Sequence, residues 1–259
     1  MHEFSGVDLR GARFEHVDLT GADLHAVDLS RARVRGAHVD GLVMRGVECV
    51  DLRIDGEIGR LVVNGVDVGA YVAEQMERRD PVLARMRPVD AAGFRAAWAL
   101  LEELWEGTVD RARSLDPDLL HASVDGEWSF TQTLRHLAFA TDAWVGRAVL
   151  GDPSPWHPLD LPWEEMADTP GIPRDRSARP ALTEVLDLRR DRQRVVREYL
   201  AGLTDEELDT DTEPVEGSSW PPPQSFPVRE CLSVVLNEEY FHRRFAERDL
   251  DVLTGDATT

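Results

Sequence analysis

The chain has 259 residues, 42% hydrophobic and 30% charged, with a formal net charge of −20. That is enough for one large or two smaller domains with real cores, and it argues against nucleic-acid backbones and anionic membranes as partners. All 29 basic residues are arginine, which excludes a lysine nucleophile or Schiff base. No apolar run is long enough to span a bilayer, and the first residues lack a basic-then-apolar leader; the expected setting is the cytoplasm. Cys49 and Cys231 read there as small buried hydrophobes, not as a disulfide.

Residues 1–68 repeat every five positions. Every fifth residue from Phe4 gives Phe4, Leu9, Phe14, Leu19, Leu24, Leu29, Val34, Val39, Met44, Cys49 and Ile54. A second series of small or aliphatic residues runs through Val7, Ala12, Val17, Ala22, Val27 and Ala32. Neither a helix nor a pleated strand has this period. The pattern, as in Ala22-Asp23-Leu24, resembles the pentapeptide-repeat family. That resemblance implies a right-handed quadrilateral β-helix with the apolar residues stacked inside, ending near residue 68. The segment holds 12 acidic residues against 8 arginines, too balanced for an acidic rod that mimics DNA; a cap or a docking surface for a protein partner is the expected role.

Residues 69–89 read as a linker with a short helix, punctuated by Pro81 and Pro88. From residue 90 the five-residue period is gone, and all seven tryptophans follow. Asp90 can cap a helix to about Ser114 with Phe94, Trp98, Leu101, Leu104 or Trp105, and Val109 on one side. Ser129 can cap a second to about Leu150, carrying Leu134, His136, Leu137 and Trp144. Residues 151–180, rich in proline and tryptophan, predict an irregular connection. A third helix covers about 181–201, Thr204 to Glu207 form a capping box for a short one, and residues 216–227 are again irregular. The fourth long helix begins after Pro227 and runs to about Leu250. Four long helices with two long connections predict a four-helix bundle over 90–253, followed by a disordered tail at 254–259.

On the last helix Cys231, Val234, Val235, Glu238, Phe241, His242 and Phe245 share a face at helical spacing. The face is apolar except for Glu238 and His242, one turn apart, a spacing that suits one metal ion if another helix adds a ligand. His136 is the candidate. Taken singly, each residue has an ordinary reading: a hydrogen-bonded core histidine, or a glutamate paired with an arginine such as Arg135. Glu238 as a general base, with Glu239 its exposed neighbour, is a further option. Arg135, Arg243 and Arg244 read as surface or supporting groups. His121 and His157 fall on loops or helix ends, with His157 a candidate for the site's mouth, and Trp128, Trp156, Trp163 and Trp220 are candidate pocket walls.

Glu127 to Leu137, with Trp144 beyond it, and Val235 to Ala246 resemble the second and fourth helices of the DinB superfamily. The resemblance covers about residues 90–250. It implies a metal triad of His136, Glu238 and His242, with Glu238 where many members have histidine. The cation implied is divalent: zinc first, with nickel, manganese or iron as alternatives. A small thiol such as mycothiol or bacillithiol is the implied second cofactor, its metal-bound thiolate attacking an electrophilic small molecule. Two rival functions share the tripod: metal-assisted hydrolysis and a non-enzymatic metal-binding interaction module. A homodimer is a further expectation.

Overall fold

A computed structural model describes residues 3–54, 56, 58–217 and 219–255. The chain divides into two compact units, Met1–Gly59 and Arg60–Thr259.

In the first unit the five-residue period becomes a backbone period. A left-handed φ recurs at Gly6, Gly11, His16, Gly21, Ala26, Arg31, Gly36, Gly41 and Gly46. At alternate corners a turn closes by a backbone hydrogen bond, as where the Ala12 N–H donates to the Leu9 carbonyl at 2.9 Å and Ala22 to Leu19 at 2.9 Å. Gly11 and Gly21 occupy the third position of such turns, where positive φ disfavours a side chain. No strand forms among the described residues of this unit, and its apolar series stays exposed (Leu9 49%, Phe14 63%, Leu24 61%). The corners are present.

The second unit opens with a two-stranded hairpin, β1 (Val62–Val63) and β2 (Val66–Asp67), paired antiparallel. Asn64 and Gly65 turn it, both with positive φ as a tight hairpin requires. Helix α1 (Gly69–Arg79) follows, then α2 (Pro81–Arg85), whose cap Asp80 accepts the Val82 N–H. Leu83 and Met86 are buried in the main core beside Phe94, Trp98 and Leu101, and Tyr240 donates its hydroxyl hydrogen bond to Asp80. The segment expected as a linker is packed into the helical unit.

Helix α3 (Ala91–Arg113) starts where Asp90 accepts the Gly93 N–H at 2.7 Å. Its buried side includes Phe94, Trp98, Leu101, Trp105 and Val109. Helix α4 (Phe130–Thr141) starts at a full capping box, Ser129 with Gln132, and passes without a break into a π-helical segment, Asp142–Val149. Helix α5 (Leu182–Gly202), the short α6 (Asp205–Leu208) and α7 (Val228–Thr254) complete the unit. Helices α3 and α4 each pack against both α5 and α7. The described residues thus form seven α-helices, four of them the long helices of the bundle, so the count is not strictly four. Thr254 ends α7 and Gly255 caps it at φ 78; the rest of the expected tail lies outside the described residues. No described helix is long and apolar enough to cross a membrane.

Two arginines on the α4 side tie down the long connections. Arg147, buried at 2% exposure, donates to the carbonyls of Val215 at 2.6 Å and Pro153 at 3.0 Å. Arg135, at 0%, donates to those of Leu159 and Asp175, both at 2.6 Å. Each guanidinium offers five donors in a fixed fork, which suits it to gathering carbonyls from an irregular loop.

Candidate metal centre

Helix geometry brings the three expected residues together. Glu238 and His242, one turn apart on α7, face α4, and α4 presents His136 to them. Nε2 of His136 lies 3.3 Å, and Nε2 of His242 3.0 Å, from the same Oε2 of Glu238. One donor atom from each residue falls within 4.8 Å of the others, and no other group of three His, Cys, Asp or Glu side chains does so among the described residues. His136 is buried, while Glu238 and His242 are partly exposed.

The protonation pattern follows from the partners. Nδ1 of His136 lies 3.0 Å from the Leu161 carbonyl oxygen. A carbonyl only accepts, so Nδ1 carries the hydrogen and, in the neutral ring, Nε2 presents a lone pair to the site. Burial pushes the His136 pKa down, opposed in part by Glu238. Burial pushes Glu238 up, but the two imidazoles beside it prevail and hold it well below the usual carboxylate range. A bare imidazole nitrogen and an ionised carboxylate facing each other at hydrogen-bond distance leave an electron-rich gap. Two imidazoles and one carboxylate are ordinary donors to a divalent cation, and a backbone carbonyl orienting one imidazole is the usual supporting contact. The residues fit a metal.

Trp128 covers both rings. Its indole lies 4.4 Å from the His136 ring, tilted, and 5.7 Å from the His242 ring, stacked at 16°. A tight turn presents it: Asp125 and Gly126 both take positive φ, and the Glu127 N–H closes onto Val124 at 2.9 Å. The other tryptophans named from sequence stand elsewhere. Trp156 stacks on Phe139 at 5.4 Å, Trp163 meets Phe139 edge-on, and Trp220 meets Trp163 at 5.0 Å. Phe139 links this cluster to His136 at 6.1 Å between ring centroids.

The remaining candidates are placed as follows. His121 bonds through Nδ1 to Thr131 Oγ1 at 2.9 Å, and His157 Nδ1 accepts the Leu159 N–H at 3.2 Å. Arg243 approaches Thr108 and Glu247, and Arg244 approaches Asp80. Two expectations need correction. Glu239 is not exposed: it is 1% exposed and makes a two-point pair with Arg189 on α5. Phe245, expected on the buried face, is 40% exposed. The inward arc of α7 is turned toward Leu232, Leu236 and Glu239, because α3 as well as α4 packs on it.

A model of the DinB superfamily matches residues 100–246, more than half of the chain, and a model of pentapeptide repeats matches residues 3–41 in eight copies. No curated protein and no solved structure matches the chain.

Proposed function

This chain belongs to the DinB superfamily, and on that premise we propose that His136, Glu238 and His242 hold one divalent metal ion for a transferase that uses a small thiol of the mycothiol type against an electrophilic small molecule. The observation that carries the reading is the convergence of two imidazole nitrogens on one carboxylate oxygen, with the far nitrogen of His136 already satisfied by a carbonyl. Three protein donors leave room for an outside ligand, as catalytic sites do. When bound there, the cation lowers the pKa of a coordinated thiol and so makes a thiolate available at neutral pH.

The chain's own residues supply the rest. His136 and His242 give neutral nitrogen donors, and Glu238 contributes the negative charge that offsets part of the cation's. Its Oε2 faces an imidazole nitrogen from each of two helices, which favours Glu238 as a ligand over Glu238 as a general base. Trp128 shields the two rings on one side. Zinc is the first candidate, and iron(II) is its main competitor for a set of two histidines and one carboxylate.

For the repeats ahead of the Val62–Asp67 hairpin we propose closure into a right-handed quadrilateral β-helix, acting as a docking arm. The support is a corner at every fifth residue. A strand-rich circular-dichroism signature from the isolated segment would agree with it, and a coil spectrum would count against it.

Elemental analysis of the untagged protein, beside Glu238→Ala and His242→Ala, tests the centre. Near-stoichiometric metal that is lost in both variants is expected, followed by consumption of an electrophile only when thiol is present. Turnover without thiol would instead identify a hydrolase. A wild type that takes up no metal after soaking would end the enzyme reading.

A further inference from the structure

Two more carboxyl groups lie buried together, and neither belongs to the tripod. Asp142, the first residue of the π-helical segment, is 5% exposed and Asp160 is 0% exposed. Arg192 of α5 holds Asp142: its Nη2 donates to Oδ2 at 2.8 Å, and its Nε lies 2.8 Å from Oδ1. Asp160 is held differently. Its Oδ2 accepts the His157 N–H at 2.8 Å, its Oδ1 receives no N–H or O–H donor, and its carboxyl group faces that of Asp142. Two ionised carboxylates are both acceptors and cannot bond to each other, so a proton must lie between them. Asp142 is the one tied to a guanidinium, which leaves the proton on Asp160.

The surroundings agree with that assignment. Besides Asp142, the charged groups near Asp160 are Arg192, itself shared with Asp191, and Arg135 from α4, with His157 on the same loop. Burial and the charge of Asp142 push the Asp160 carboxyl up to about 9.

Asp160 also sits between two anchored carbonyls. That of Leu159 accepts from Arg135 Nε at 2.6 Å, and that of Leu161 accepts from His136 Nδ1 at 3.0 Å. We propose that the Asp160–Asp142 carboxyl pair is a latch that positions His136: it fastens residues 157–161 to the start of the π-helical segment, and so holds the Leu161 carbonyl where it selects the Nδ1–H tautomer of His136. Asp160 is a positioning residue that acts through Leu161. Its consequence for metal binding rests on the reading of the tripod given above; the tautomer itself is a property of the metal-free protein.

The test is a long-range proton–nitrogen spectrum of the histidine rings in the full-length, metal-free protein, comparing wild type, Asp160→Asn and Asp160→Ala. Asparagine can donate to Asp142 and accept from His157, so wild type and Asp160→Asn should both show His136 as the single Nδ1–H tautomer. Asp160→Ala should show a mixture of tautomers. Its affinity for Zn²⁺, measured by competition, should fall about tenfold while that of Asp160→Asn is unchanged. Should Asp160→Ala not fold, pH decides: wild type should lose the single tautomer as the pH passes about 9, and Asp160→Asn should keep it. An unchanged His136 tautomer in Asp160→Ala, or identical wild-type and Asp160→Asn spectra to about pH 10, would overturn the latch. Failure of the wild type to bind Zn²⁺ would overturn the metal reading, and the tautomer result would still decide the latch.

Discussion

Arg189 and Glu239 form a two-point ion pair inside the helical unit, with side chains 4% and 1% exposed, one residue along α7 from Glu238. Consecutive helix positions diverge by about 100°, which sends Glu238 to the tripod and Glu239 to α5. The Arg189 guanidinium also lies over the Trp105 ring at 5.4 Å. The two adjacent acids therefore do different work. Glu239→Ala strands a buried guanidinium and should destabilise the fold by about 3–5 kcal/mol while leaving metal content per folded molecule unchanged. Urea unfolding beside elemental analysis checks this. Loss of metal with no loss of stability would reverse the assignment of the two glutamates.

Metal removal should act on the fold as well as on activity. His136 from α4 and the Glu238–His242 pair from α7 come from different helices, so a cation held by all three would cross-link them. A ligand that binds only the folded state stabilises it by about 2.7 kcal/mol at a hundred times its Kd. Chelation should lower Tm, and added Zn²⁺ should restore it. In Glu238→Ala the Tm should be insensitive to both; sensitivity there would place the cation elsewhere.

The Glu238–His242 pair was legible in the sequence because its signal is local, while His136 as its partner rested on the DinB resemblance. Glu238 and His242 lie one helical turn apart, His136 sits in an apolar helix, and the caps Asp90 and Ser129 fixed where the helices begin. The period of five was equally legible, and it reappears as a backbone corner at every fifth residue. What the sequence hid depends on partners distant in the chain. Arg135 reads as a surface or supporting group until the carbonyls of Leu159 and Asp175 are seen around it. Glu239 reads as exposed until Arg189 arrives from α5. Asp160 carried no motif at all, since its meaning comes from Asp142, which lies on a different element.

Arg147 gives a test of how the second long connection is held. Its guanidinium gathers the Val215 and Pro153 carbonyls, and its Nε approaches that of Pro221 at 3.4 Å. Arg147→Met keeps much of the apolar stem and removes every donor. Carbonyls left unpaired in a part-buried position cost at most about 1–3 kcal/mol. Amide exchange should therefore accelerate across 213–223, and Trp220 fluorescence should shift toward that of a solvated indole, with the metal content unaltered. Unchanged exchange in that stretch would show that other contacts hold it.

Asp160 sets a pH dependence whose sign can be worked out. Its pKa is raised in the fold to about 9, against an ordinary aspartate value of about 3.9 in the unfolded chain. Below about pH 4 both states carry the proton, and the contribution to stability is fully present. As the pH rises from there toward 9 the unfolded chain releases the proton and the native state keeps it, so stability falls, by at most about 1.4 kcal/mol per pH unit from this group. Past 9 the contribution is gone, and the Asp160 and Asp142 carboxylates repel. Other groups titrate over the same range, so the useful quantity is the difference between wild type and Asp160→Asn, in which this one proton is replaced by an amide. That difference should move against the wild type between about pH 5 and pH 8 in urea midpoints. Parallel curves for the two proteins would mean that Asp160 is ionised in the fold, and that something other than a shared proton holds the two side chains together.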